Sequence, residues 1–145
     1  MQTVNQGIDA ELFAALMERV REIPFYNHLG FELERVGEGL AVVGMDTLPD
    51  YSNIDASIHG GVMMALADAA MATAVRTMGT GTTTVELDTE FLRHGTVGER
   101  LTAEGRVIKY GQRIVFCSCT VVCAGKEVAA VRGTFFRTGP LIAQK

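Results

Sequence analysis

His59, Gly60, Gly61 and Asp68 are the residues of this chain whose types and spacing could do chemistry. The two glycines open a run of good helix formers in which Asp68 is the only ionisable side chain between Val62 and Val75. A helix apolar all round is a buried one. A carboxylate inside it is costly unless it is paired, hydrogen-bonded or used. The start of such a helix presents unpaired N–H groups and the positive end of its dipole, and glycines there allow close approach of another molecule. The run is too short for a bilayer, which takes about 20 apolar residues, and a carboxylate in mid-run counts further against a span.

The rest of the chain must hold that helix. Asp9 is a fitting N-cap for a helix to about Glu22, with Leu12, Phe13, Leu16, Met17 and Val20 on one face, and Pro24 ends it. Residues 1–8 carry no pattern. Phe31 to Val36 and Leu40 to Thr47 read as strands joined at Gly37-Glu38-Gly39. A polar loop around Asn53 then leads into the central helix, expected from Gly60 to about Met78. Four more strands follow, at about 82–92, 101–110, 113–123 and 127–137, with short glycine-bearing connections that favour antiparallel neighbours. An α+β fold results, an antiparallel sheet of about six strands curled around one long helix, with an amphipathic N-terminal helix added.

Composition narrows the function classes. The 145 residues, 48% hydrophobic and 21% charged, fit one globular unit with a substantial core. A formal charge of −4 argues against non-specific nucleic-acid binding. Cys117, Cys119 and Cys123 lack metal-ligand spacing and read as buried, reduced thiols. The N-terminus shows no basic-then-apolar signal pattern, so a cytoplasmic setting is expected, with no membrane partner.

The element order, together with Asn53, His59-Gly60-Gly61 and Asp68, resembles the hotdog-fold thioesterases, specifically the phenylacetate-pathway (PaaI-type) branch of the 4-hydroxybenzoyl-CoA thioesterase superfamily. The resemblance extends from about Phe31 to Phe136. It implies one hotdog domain over 1–145, with 1–28 an N-terminal extension and 29–138 the core. It also implies an acyl-CoA thioesterase that releases a free acid and CoA. In that reading Asp68 is nucleophile or general base, and the Gly60 N–H polarises the thioester carbonyl. Asn53 and His59 flank the carbonyl or the water, and a hydroxyl on the strand after the helix, best matched by Thr84, orients the water from the partner subunit. The family further implies homodimers with shared sites that pair into homotetramers. No metal or organic cofactor is implied, CoA being part of the substrate.

The chemistry is consistent from below. An N–H at the helix start, aimed at a thioester carbonyl, would stabilise the developing oxyanion by about 3–4 kcal/mol. Asp68 lies roughly 12 Å further along the same helix, so one chain cannot bring both groups to one carbon. An antiparallel partner helix would place Asp68 of one chain opposite Gly60 of the other. Gly61 would leave room for the substrate, and Met64 would suit an adaptable acyl pocket. CoA phosphates call for local cations in a net-acidic chain, with Arg93, Lys109, Arg113, Arg132 and Arg137 as candidates and Gly111 in the turn between two of them. Each residue has a plainer reading: Asp68 a structural carboxylate satisfied by Thr73 or Thr84, His59 a solvent-facing helix start, Asn53 a turn residue, the cations a solvated surface. Two other functions stay open at this point, a non-catalytic acyl-CoA-binding module and a hydratase or dehydratase on the same fold.

Overall fold

Leu16, Met63, Leu66, Met71, Val75, Leu101, Val121 and Phe135 are all fully buried, and they come from both the helices and the sheet. That common core follows from the alternating strands and the apolar helix between them. The structure is a computed structural model and describes residues 2–143. A short strand β1 (Val4–Asn5) precedes helices α1 (Ala10–Arg21) and α2 (Pro24–Leu29). Strands β2 (Glu32–Gly37) and β3 (Leu40–Met45) lead to the central helix α3 (Gly60–Arg76). Strands β4 (Thr80–Phe91), β5 (Leu101–Tyr110), β6 (Ile114–Cys123) and β7 (Lys126–Pro140) complete the chain.

The seven strands form one sheet in the order β1-β2-β3-β5-β6-β7-β4. All neighbours are antiparallel except β1, which runs parallel to β2. The sheet is therefore mixed and has one strand more than the pattern indicated, because a two-residue strand carries no periodicity. Pro24 also does more than end a helix. Its fixed φ and missing N–H suit a first helical turn, and it opens α2.

The central helix rests on β3, β4, β5 and β6. Its alanines bring it close: a Cβ on Gly105 of β5 would stand 2.6 Å from the backbone at Ala70 and Met71. This glycine marks where helix and sheet meet backbone to backbone. The helix is not buried all round, however. Gly61 is exposed, and Met64, Ala65 and Asp68 are only partly buried. These positions repeat at three- and four-residue steps, so one stripe of α3 faces outward beside β4. No helix among the described residues is long and apolar enough to cross a membrane.

Candidate active site

The start of α3 is shaped by His59. Its backbone has left the helical region, with φ −60° and ψ 132°, and its Nδ1 accepts the N–H of Gly61 at 2.8 Å. Nδ1 therefore carries no proton in this arrangement and Nε2 does, an assignment that follows from the hydrogen bond. The Val62 N–H goes to the His59 carbonyl at 3.0 Å. Gly60 is different: its N–H makes no hydrogen bond among the described residues. The cap thus satisfies the neighbours and leaves one donor at the dipole's positive end open.

Gly60 also carries a close neighbour that the sequence did not single out. A Cβ at this position would stand 2.9 Å from Cε1 and Cζ of Phe91, at the far end of β4. The Phe91 ring packs on the bare Cα of Gly60 while 53% of the residue stays exposed. The only sequence signal for it was an aromatic closing an alternating strand.

Two turns further along α3, Asp68 meets the first half of β4. The Thr84 hydroxyl donates to Asp68 Oδ1 at 2.7 Å. The bond lies within one chain, whereas the family resemblance led to a Thr84 hydroxyl reaching the water from the partner subunit; it is the bond that the structural reading of Asp68 expects. Thr84 points toward the helix because it pairs with the fully buried Phe135 in the β4–β7 ladder, which fixes its face. Strand β4 therefore runs along the open stripe of α3, holding Thr84 on Asp68 and Phe91 on Gly60.

The loop before α3 is a tight turn. Asn53 donates its N–H to the Ser57 carbonyl at 2.7 Å and accepts from the Ala56 N–H at 3.1 Å. Ala56 sits at φ 64° to close it. The Tyr51 carbonyl accepts the His59 N–H at 2.8 Å, tying this loop to the helix start. The Asn53 side chain is exposed and makes no hydrogen bond among the described residues. Next to it, the Ser57 side chain and N–H hold the Asp55 carboxyl below its usual range.

From the other side, α2 brings the buried Tyr26 beneath the same helix. Burial pushes its hydroxyl above the ordinary value, Arg76 and Thr73 offset part of that, and the Asp68 charge adds to it. The N-terminal extension thus reaches the electrostatic surroundings of Asp68.

The candidate cations divide. Lys109, Gly111 and Arg113 cluster at the β5–β6 turn, where Arg137 stacks 4.3 Å over the Tyr110 ring and donates to the Gly111 carbonyl at 3.0 Å. Register places that turn at the Thr84 end of β4. Arg93 lies beyond Phe91 at the opposite end, bonded to the Glu127 carbonyl. Arg132 is paired with Asp88 in register, away from α3. The five do not form one cluster. Among the described residues no three His, Cys, Asp or Glu side chains come together as a metal-holding group.

Comparison with known proteins bears on this geometry. The sequence model of the thioesterase superfamily matches residues 56–130, the stretch from the Asn53 turn's end through the first third of β7. The acyl-coenzyme A thioesterase PaaI of Escherichia coli is 34% identical over 79% of this chain and 82% of its own length. The structure of the E. coli PaaI protein from the phenylacetic acid degradation operon superposes with a TM-score of 0.88 at 28% identity, covering 94% of this chain and all of that one. A putative esterase of Archaeoglobus fulgidus is 29% identical over 84% of this chain and 83% of its own. With its family model matched, its PaaI relative aligned over most of both chains and its hotdog architecture shared, this chain belongs to the thioesterase superfamily, as an enzyme of the PaaI type.

Proposed function

We propose that this protein is an acyl-CoA thioesterase whose site is shared across a homodimer, with Asp68 and Thr84 supplied by one chain and Gly60 by the other. The observation that carries the reading is the Thr84–Asp68 hydrogen bond on the open stripe of α3. A hydroxyl that donates to one carboxylate oxygen fixes the group and leaves the second oxygen free. That oxygen would take a proton from the attacking water or attack the carbonyl itself. The unpartnered Gly60 N–H would receive the carbonyl oxygen as it gains charge. Water then adds to the carbonyl carbon, the C–S bond breaks, and the CoA sulfur leaves as thiolate and takes up a proton. The products are a carboxylic acid and free CoA.

The acyl-CoA substrate is inferred from the name of the E. coli relative. Sharing between chains is inferred from the helix geometry and from β4. That strand is a sheet edge 12 residues long and largely exposed, with Val85 60% accessible. A long exposed edge with unpaired backbone groups invites a second strand, and two copies related by a two-fold axis would pair β4 with β4 and bring the α3 stripes together. Exposed Ile108, Phe116 and Phe136 on the sheet face away from α3 would serve where dimers pair into a tetramer. His59 would act mainly by holding the helix start open. Its Nδ1 is already engaged, which weighs against a hydratase that shuttles protons through that ring. Asn53 would approach the carbonyl from the turn beside it.

Release of CoA thiol from a panel of aryl and aliphatic acyl-CoAs tests the reading. Steady release by the native protein, lost in a folded Asp68→Asn variant, supports it. Binding of acyl-CoA without release would replace it with a non-catalytic module.

A further inference from the structure

Gly60 and Gly61 are each walled by a ring. A Cβ on Gly61 would stand 3.0 Å from His59 Nδ1, and one on Gly60 would stand 2.9 Å from Phe91. His59 is held there by its cap bond, and Phe91 is held by the pairing of β4 with Ala129 of β7. A carbonyl that accepts from the Gly60 N–H must enter beside the Phe91 ring. With a hydrogen bond of about 2.9 Å to the nitrogen, the carbonyl carbon lies only about 4 Å from it, so its substituents fall within van der Waals reach of the ring. The ring is half exposed and forms no aromatic pair among the described residues, so one face is available to a ligand.

We propose that Phe91 determines acyl selectivity: its ring is the wall against which the carbon next to the thioester carbonyl lies, so the site takes acyl groups unbranched at that carbon and rejects those branched there. The proposal rests on the thioesterase reading and on Gly60 as the carbonyl's donor. Phe91 is neither acid, base nor nucleophile; it selects by shape.

The test compares kcat/KM for butanoyl-CoA and 2-methylpropanoyl-CoA in the native enzyme and in Phe91→Ala, Phe91→Leu and Phe91→Trp. The native enzyme favours the straight chain by roughly 10- to 200-fold, the range one methyl group is worth in a packed pocket. Phe91→Ala and Phe91→Leu bring the ratio toward one, chiefly by raising kcat/KM for the branched substrate, and Phe91→Trp holds or widens it. A ratio unchanged in the smaller variants, at melting temperatures near native, overturns the proposal. So does an equal rise in KM for both substrates matched by weaker inhibition by free CoA, which would place the ring on the CoA arm. If Phe91→Ala does not fold, the Leu and Trp variants decide by whether they move the ratio in opposite directions. A native enzyme that hydrolyses neither substrate nor any other acyl-CoA would instead remove the thioesterase reading beneath it.

Discussion

Thr84 donates its hydroxyl to Asp68 at 2.7 Å within one chain, across the short gap between β4 and the open stripe of α3. A hydrogen bond to a charged group is worth about 1.5–3 kcal/mol, so Thr84→Val should lower kcat roughly ten- to a hundred-fold. Thr84→Ser keeps the donor and should stay near native. A Val variant as active as native would show that the bond is structural only.

Gly60 and Phe91 should couple. Gly60→Ala forces a methyl into the ring and should destabilise the fold by about 1–3 kcal/mol, the usual cost of overpacking. Phe91→Ala in the same chain removes the obstacle and should restore most of the loss, giving a coupling that two independent sites would not show. Thermal melting of the two single variants and the double closes that cycle. Losses that simply add would mean the contact is not tight.

Two of the cysteine thiols of β6, Cys117 and Cys119, should be unreactive. Burial pushes Cys117 and Cys119 up to about 12, so both remain protonated thiols far above neutral pH. The thiolate is the reactive form, and raising its pKa suppresses attack. Neither should be alkylated by iodoacetamide at pH 8 in the folded protein, and both should be labelled in denaturant. Mass spectrometry of the two samples distinguishes these outcomes.

The turn between β6 and β7 stores strain that can be removed. Ala124 and Gly125 form its two central residues with φ of 49° and 77°. A left-handed alanine costs about 1–2 kcal/mol, and Asn tolerates the conformation better. Ala124→Asn should stabilise the protein by about 1 kcal/mol, a rise of roughly 2–4 °C in melting temperature. No rise would mean that the turn relaxes in solution.

Much of the frame was legible because it rests on periodicity. Asp9 caps α1 as its side chain and spacing indicated, accepting from Glu11 and Leu12 N–H groups. Strand β5 falls on the expected residues, and α3 begins where the two glycines place it. What escaped was set by tertiary contact. Strand β1 exists only because β2 offers it an edge. The open stripe of α3 has no polar marker besides Asp68, since Met64 and Ala65 look the same buried or bare. His59 could be placed at the helix start, but its role as cap needs the side-chain rotamer. Phe91 lies 31 residues from Gly60, and no local pattern links an aromatic at a strand end to a distant glycine.

Sharing of the site between two chains is tested most directly by mixing two inactive variants. Asp68→Asn removes the carboxylate from one half-site and Gly60→Ala obstructs the other. Subunit exchange between them creates mixed dimers in which one site carries both defects and the other carries neither. With random exchange of equal amounts, CoA release should return to about a quarter of the native rate, from half the dimers each holding one intact site of two. A mixture that exchanges subunits, as native mass spectrometry would show, and yet stays as silent as its parents would contradict a site built from Asp68 of one chain and Gly60 of the other.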